Sequence, residues 1–328
     1  MKSITTKLSL LTVAMMGINT LEVQAQIPGQ TSPPAQLVDA LHTAFGNHHV
    51  RAVHAKGIIL EGEFIPDAGA ETLSKAFHLQ KRRSKITVRF SDFTGIPDIP
   101  DNMGAANPRG LAIKFRLDDG QTTDIVAHSF DGFPTENSDQ FRDLLLAIGA
   151  SGPEAVKPTA LDNFLASHPV AKTFLTTQKL PASFATISYF GVNAFEFTNS
   201  KNISHFIRYQ FIPEEERLLS AEDFAKEGDN YLMEEMKTRI DQKPIYFKLY
   251  AQIAEEGDAI ENPSIAWPTN RKKVLLGTIV IQHLSVNTPT EDKALSFKPN
   301  NIPDGIKTAD PMLDFRSKAY PISVKERQ

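Results

Sequence analysis

The chain has 328 residues, 41% of them hydrophobic and 23% charged, with 21 Pro, 18 Gly and no Cys. That length carries one large domain or two small ones with ample apolar material for a core, and the composition is not that of a disordered or low-complexity chain. The lack of cysteine excludes disulfide scaffolds, thiolate metal sites, iron–sulfur clusters and a cysteine nucleophile, and a formal charge of −4 argues against a nucleic-acid binder.

Residues 1–25 read as a cleavable export leader. Lys2 and Lys7 form a positive start, Leu8 to Ile18 an apolar run, and Val23-Gln24-Ala25 places small residues where a signal peptidase reads. Cleavage after Ala25 leaves Gln26 at the mature N-terminus, and the periplasm is the expected destination in a Gram-negative source. The run is too short to span a bilayer, so no stable membrane insertion is expected after cleavage. Residues 26–44 make an N-terminal linker and short helix: Gln26–Pro34 is linker-like, and Leu37, Leu41 and Phe45 repeat every four residues in a helix over Ala35–Phe45. Residues 45–328 form the main domain.

Strand-like patterning follows over Val53–Phe64, Ile86–Phe90, Leu111–Arg116 and Thr123–Val126, with a turn at Asp118-Asp119-Gly120. Helices are predicted over Ser138–Gly149, Ala160–His168 and Val170–Thr177, and strands over Ala185–Phe197 and Ser204–Ile212. Ala221–Ile240 and Ile245–Ala254 read as helical, Val274–Leu284 as a long apolar strand, and the tail from Phe297 as irregular. No internal repeat is visible. The mixture indicates an α+β fold around a closed antiparallel β-barrel with interspersed helices.

Three segments could carry chemistry. In Arg51-Ala-Val-His54-Ala-Lys-Gly57, His54 suits a general acid/base in an apolar pocket, and equally a satisfied core residue. In Val88-Arg89-Phe90-Ser91, Arg89 sits among apolar strand residues and needs an anionic partner, either a side chain or a ligand carboxylate; Ser91 can orient an imidazole. In Arg316-Ser-Lys-Ala-Tyr320-Pro321 the arginine and tyrosine would share a face if the segment is helical, so that the guanidinium could stabilise a phenolate; taken alone, this is an ordinary surface pair. His48 and His49 beside His54 do not make a metal cluster, because adjacent side chains on a strand point apart. Lys81-Arg82-Arg83 reads as a solvated charged face.

Taken in order, these segments resemble the haem catalase superfamily. Pro108-Arg-Gly-x-Ala-x-Lys-Phe115, Asp124-Ile125-Val126 with Phe133 and Phe141, Trp267-Pro268, and Phe297-Lys-Pro-Asn-Asn-Ile-Pro-Asp-Gly305 with Asp310 extend the likeness over roughly residues 45–328. The chain looks most like the small catalase-related peroxidases, which makes residues 45–328 a catalase-like haem-binding domain. Eight residues follow Tyr320, so the resemblance implies a barrel lacking the family's C-terminal helical domain, with no bound nicotinamide nucleotide and a more open pocket.

The resemblance implies haem b as cofactor, with Tyr320 as its iron ligand and Arg316 keeping that tyrosine ionised. His54 is implied as the distal acid/base, oriented by Ser91. Arg51, Arg89 and Arg327 match arginines that pair with haem propionates, and Phe133 and Phe141 the apolar distal wall. Val53 is catalase-like, where the allene oxide synthase branch carries Thr. One position departs: His128 stands where the family places a distal asparagine, which favours one-peroxide chemistry over disproportionation. The expectation is an exported haem peroxidase that reduces hydrogen peroxide or small organic hydroperoxides with a small organic reductant and has weak or no catalase activity. It binds no nucleic acid, and a homodimer is compatible with the likeness. The alternatives are a haem-storage protein without turnover and a hydroperoxide-rearranging enzyme of the allene oxide synthase type.

Overall fold

The computed structural model describes residues 32–117, 119–286 and 288–327. The leader assigned to residues 1–25, the first part of the linker, and Asp118 of the predicted turn lie outside the described residues. The strands are β1 Gly57–Pro66, β2 Ser84–Ser91, β3 Gly110–Arg116, β4 Thr122–His128, β5 Tyr189–Thr198, β6 Ser204–Pro213, β7 Ile245–Ile253, β8 Lys273–Leu284 and β9 Ile306–Thr308. The helices are α1 Pro34–Phe45, α2 Ala70–Leu73, α3 Ser138–Gly149, α4 Ala160–Ser167, α5 Pro169–Thr176, α6 Ala221–Phe224, α7 Tyr231–Gln242, α8 Thr288–Ala294 and α9 Pro311–Glu326.

Two four-stranded antiparallel meanders, β1–β4 and β5–β8, are joined by β1 against β8. A pairing of His128 with Phe190 joins β4 to β5 and closes the barrel, and β9 adds to the free edge of β5. This is the α+β barrel that the strand pattern predicts. Its interior is packed with rings and branched chains: Phe64, Phe90, Phe115, Phe184, Phe197, Phe211 and Phe247 are all at most 1% exposed. A small barrel filled in this way leaves no lumen for a ligand. Any site must lie on its outer face. A second, smaller apolar cluster sits there, built from Leu37, Val38 and Leu41 of α1, Leu145 of α3, and Phe315 and Ala319 of α9.

Several predicted elements differ from the structure. Ile245–Ala254 is not a helix but β7, in which Ile245, Phe247, Leu249 and Ala251 are buried at every second position. Ala221–Ile240 divides into α6 and α7, separated by a turn in which the Tyr231 amide donates to the carbonyl of Gly228. The tail is not irregular, because α9 starts on Asp310, whose side chain accepts from the Met312 amide, with Pro311 in the first turn. The first strand begins at Gly57 rather than Val53. Before it, the amides of His54 and Ala55 donate to the carbonyls of Phe93 and Thr94 at 2.9 Å each, and His54 takes φ of +58°. Among the described residues, no helix is long and apolar enough to cross a membrane.

Candidate active site

The alternation of β2 to β5 decides which side chains face outward. Phe90, Leu111 and Ile125 turn into the barrel core, so Arg89, Ser91, Gly110, Ala112, Val126 and His128 turn toward the outer helices. Register then lines these residues up. Ser91 pairs with Gly110, Gly110 with His128, and His128 with Phe190, one continuous row across four strands. Arg89, Ala112 and Val126 form the row beneath. Helices α1, α3 and α9 cover this face and enclose a slot lined mainly by apolar residues, among them Leu41, Val53, Phe133, Phe141 and Met312. Phe133 and Phe141 hold their ring centroids 4.8 Å apart.

His54 lies against Gly110. A Cβ at residue 110 would come within 2.4 Å of Ser91 Oγ and 2.6 Å of His54 Nδ1, so only glycine lets the imidazole rest on the strand. His54 Nδ1 is 3.0 Å from the carbonyl oxygen of Asp92 and 3.1 Å from Ser91 Oγ. A carbonyl can only accept, so Nδ1 carries the proton and Nε2 keeps its lone pair. Burial, then the nearby charges of Arg89, His128 and Arg316, push the pKa of His54 down to about 3, so the ring is neutral at physiological pH. Phe93 braces it edge-on, with centroids 5.5 Å apart.

His128 takes the opposite tautomer. Its Nδ1 accepts from the Phe130 amide at 3.4 Å, and its buried Nε2 has no partner among the described residues. Burial and the charge of Arg316 push its pKa down to about 3 as well. Two neutral imidazoles therefore line one slot, one with a free acceptor and the other with a free donor.

Tyr320 lines the same slot from α9. Arg316, one helical turn earlier, donates from Nη2 to Tyr320 Oη at 2.6 Å. Its Nη1 donates to Asn193 Oδ1 at 2.9 Å, and Asn193 Nδ2 donates to Asp310 Oδ2 at 2.7 Å. Burial raises the Asp310 carboxyl to a pKa of about 6. Asn193 was not visible in the sequence reading, because it carries no motif and reaches the site only through the bend of β5. Val53, Arg51, Arg89 and Arg327 also line the slot, so the structure brings all the predicted site residues to one cavity. The three arginines do not stand on an open edge, however: Arg51 and Arg89 both pair with the Asp292 carboxylate, a residue the motifs did not indicate. Among the described residues, no cluster of three or more His, Asp or Glu suited to a metal ion occurs.

A closed antiparallel barrel, with an outward-facing slot lined by two imidazoles and a guanidinium-held phenol, has the build of a haem-binding barrel. Comparison with known proteins agrees. A model of the catalase family matches residues 36–328, and the chain belongs to that family. It is 33% identical to a catalase-related peroxidase of Synechococcus elongatus, over 96% of this chain and 93% of that one. It is also 33% identical to a catalase-related peroxidase of Mycolicibacterium paratuberculosis, over 90% of this chain and 94% of that one. A catalase of Vibrio vulnificus is 27% identical and is matched over 56% of its length. The fold is similar to the crystal structure of a fungal catalase, with a TM-score of 0.75 at 19% identity, covering 92% of this chain and 65% of that one.

Family membership implies a haem cofactor, and the residues present fit one. The slot is walled by apolar side chains on the barrel and helix sides, and it contains a phenol oxygen already hydrogen-bonded by a cation, the donor type that suits ferric iron. His128 Nε2 and Arg327 Nε are buried polar atoms without partners among the described residues, as expected of groups directed at a ligand.

Proposed function

We propose that the chain is a haem b peroxidase that reduces hydrogen peroxide or small organic hydroperoxides with a small organic electron donor, and that residues 1–25 direct its export to the periplasm. The observation that carries this reading is the pair of complementary imidazoles, His54 and His128, lining one slot together with Tyr320. Haem supplies an iron centre that accepts oxidising equivalents from peroxide and returns them to a donor one electron at a time.

The chain's own residues do the rest. With haem bound, His54 Nε2 would take the proton from one peroxide oxygen and return it to the other, the oxygen that would leave as water. Ser91 Oγ and the Asp92 carbonyl hold the tautomer that makes this possible. His128 Nε2–H donates to the bound peroxide and positions it. Tyr320 Oη would hold the iron, and Arg316, steadied by Asn193 and Asp310, would keep that oxygen an electron-rich acceptor. Phe133 and Phe141 keep water off the distal side. The imidazole at residue 128 supports peroxidase turnover with weak or no catalase activity.

Steady-state assays of the reconstituted protein test this directly. Oxidation of a dye donor by hydrogen peroxide, with little oxygen evolution at an electrode, is the expected result. Vigorous oxygen evolution would make it a catalase, conversion of a fatty-acid hydroperoxide without donor consumption would make it a rearranging enzyme, and haem binding without turnover would leave a storage protein. Amino-terminal sequencing of protein recovered from the periplasm checks the leader, with Gln26 the expected first residue.

A further inference from the structure

Three guanidiniums converge at one end of the slot, and the carboxylate that gathers them is not among the residues that line it. Arg51 donates from Nε and Nη2 to Asp292 Oδ1 at 3.1 and 2.9 Å. Arg89 donates from Nε to the same oxygen at 2.6 Å and from Nη2 to Oδ2 at 2.9 Å. The backbone that follows completes the ring, because the carbonyl of Leu295 accepts from Arg51 Nη2 at 2.7 Å and from Arg327 Nη2 at 2.8 Å. Helix α8 and its end thus form a strap that ties the segment before β1, strand β2 and the end of α9 together.

Such a cluster is costly unless it is compensated. Burial, then the charge of Arg89, pushes the Arg51 pKa down to about 9, against the upward pull of Asp292. Despite burial of its own, the Asp292 carboxyl is held below its ordinary range by Arg89 and Arg51, so it is ionised. Three guanidiniums against one carboxylate leave an excess of two positive charges, the complement of the two carboxylates of a haem. Donors also remain. The hydrogen bonds of Arg51 leave only from Nε and Nη2, and Arg327 Nε has no partner among the described residues.

We propose that Asp292 is a positioning residue for haem carboxylates, clamping Arg51 and Arg89 from outside the slot, with Arg89 also fixed on the carbonyls of His54 and Ala55, so that the remaining donors of Arg51 and Arg327 form a preorganised cradle. The inference rests on the haem reading above. It opposes a simpler idea, that Asp292 competes with the propionates for the same arginines, and the two differ in sign.

Titration of the full chain with haem and with haem dimethyl ester, whose carboxylates are masked, separates them. Asp292→Asn is expected to weaken haem binding by at least about tenfold, while ester binding stays unchanged and Asp292→Glu recovers part of the loss. Equal or tighter haem binding by Asp292→Asn overturns the proposal, and so does an equal loss for the ester, which marks general damage. A wild-type chain that binds no haem overturns the haem reading instead. Should Asp292→Asn fail to fold, hydrogen exchange of residues 288–295 in the wild type decides: protection with and without haem is expected, and release of the strap on loading overturns the clamp.

Discussion

His54 occupies a backbone conformation that most side chains avoid, with φ of +58°, and it is held there by a hydrogen bond from its amide to the Phe93 carbonyl and by ring hydrogen bonds to the Asp92 carbonyl and Ser91 Oγ. Such reinforcement suits a group that must meet its substrate at one angle. Replacing His54→Ala is expected to slow the reaction of the haem-loaded protein with peroxide by about a hundredfold or more, followed by stopped-flow absorbance. An unchanged rate would remove His54 from this role. A third histidine serves differently. His78 is fully buried among Phe64, Phe77 and Phe115, neither ring nitrogen has a partner among the described residues, and burial pushes its pKa down to about 3. Its unfolded-state pKa lies near 6.5. The unfolded chain therefore binds the proton first, and stability is lost as pH falls from 6.5 toward 3, by about 1.4 kcal/mol per pH unit for each such ring. His54 and His128 add to the same slope. His78→Phe is expected to raise the melting temperature at acid pH and flatten its pH dependence, as read by circular dichroism. A slope as steep as the wild type's would show that His78 is not buried neutral.

Among the elements, β2 to β5 do most to shape the site, because their register places Ser91, Gly110, His128 and Phe190 in a single row. Gly110→Ala should therefore act on chemistry before stability. The added carbon must push Ser91 or His54 aside, and the expected outcome is at least about a tenfold fall in the peroxide reaction with the barrel's thermal transition retained. Parts of this were legible in advance. The strand pattern in Val88-Arg89-Phe90-Ser91 marked Arg89, from sequence alone, as a buried guanidinium in need of an anionic partner. The four-residue spacing of Arg316 and Tyr320 fitted a shared helix face, but the helix that aligns them was not anticipated, since the tail reads as irregular. What could not be read was pairing at a distance. Asn193 and Asp292 have no local signature, and their importance appears only when β5 meets α9 and when α8 folds back over β2. The misreading of β7 has a simpler cause: its outward positions carry Tyr246, Lys248 and Tyr250, whose long side chains are as much at home on a helix as on a strand.

The whole molecule joins the two ends of the described chain at the slot. Helix α1 packs against α3 and α9, and Leu37, Val38 and Leu41 close the wall opposite the sheet. Removal of residues 32–45 is expected to leave the barrel folded, since its own core contains none of them, but to speed haem loss markedly, as measured by transfer to a scavenging globin. Haem retention equal to that of the intact chain would show that α1 is dispensable.

Because the barrel interior is solid with aromatic rings, its outer face behaves as a rigid floor, and the helices above it as an interchangeable roof. Leu41 and Phe141 can thus be resized to admit bulkier hydroperoxides without disturbing the floor on which His54 and His128 are aligned. New substrate preferences in a protein of this build should arise by re-roofing.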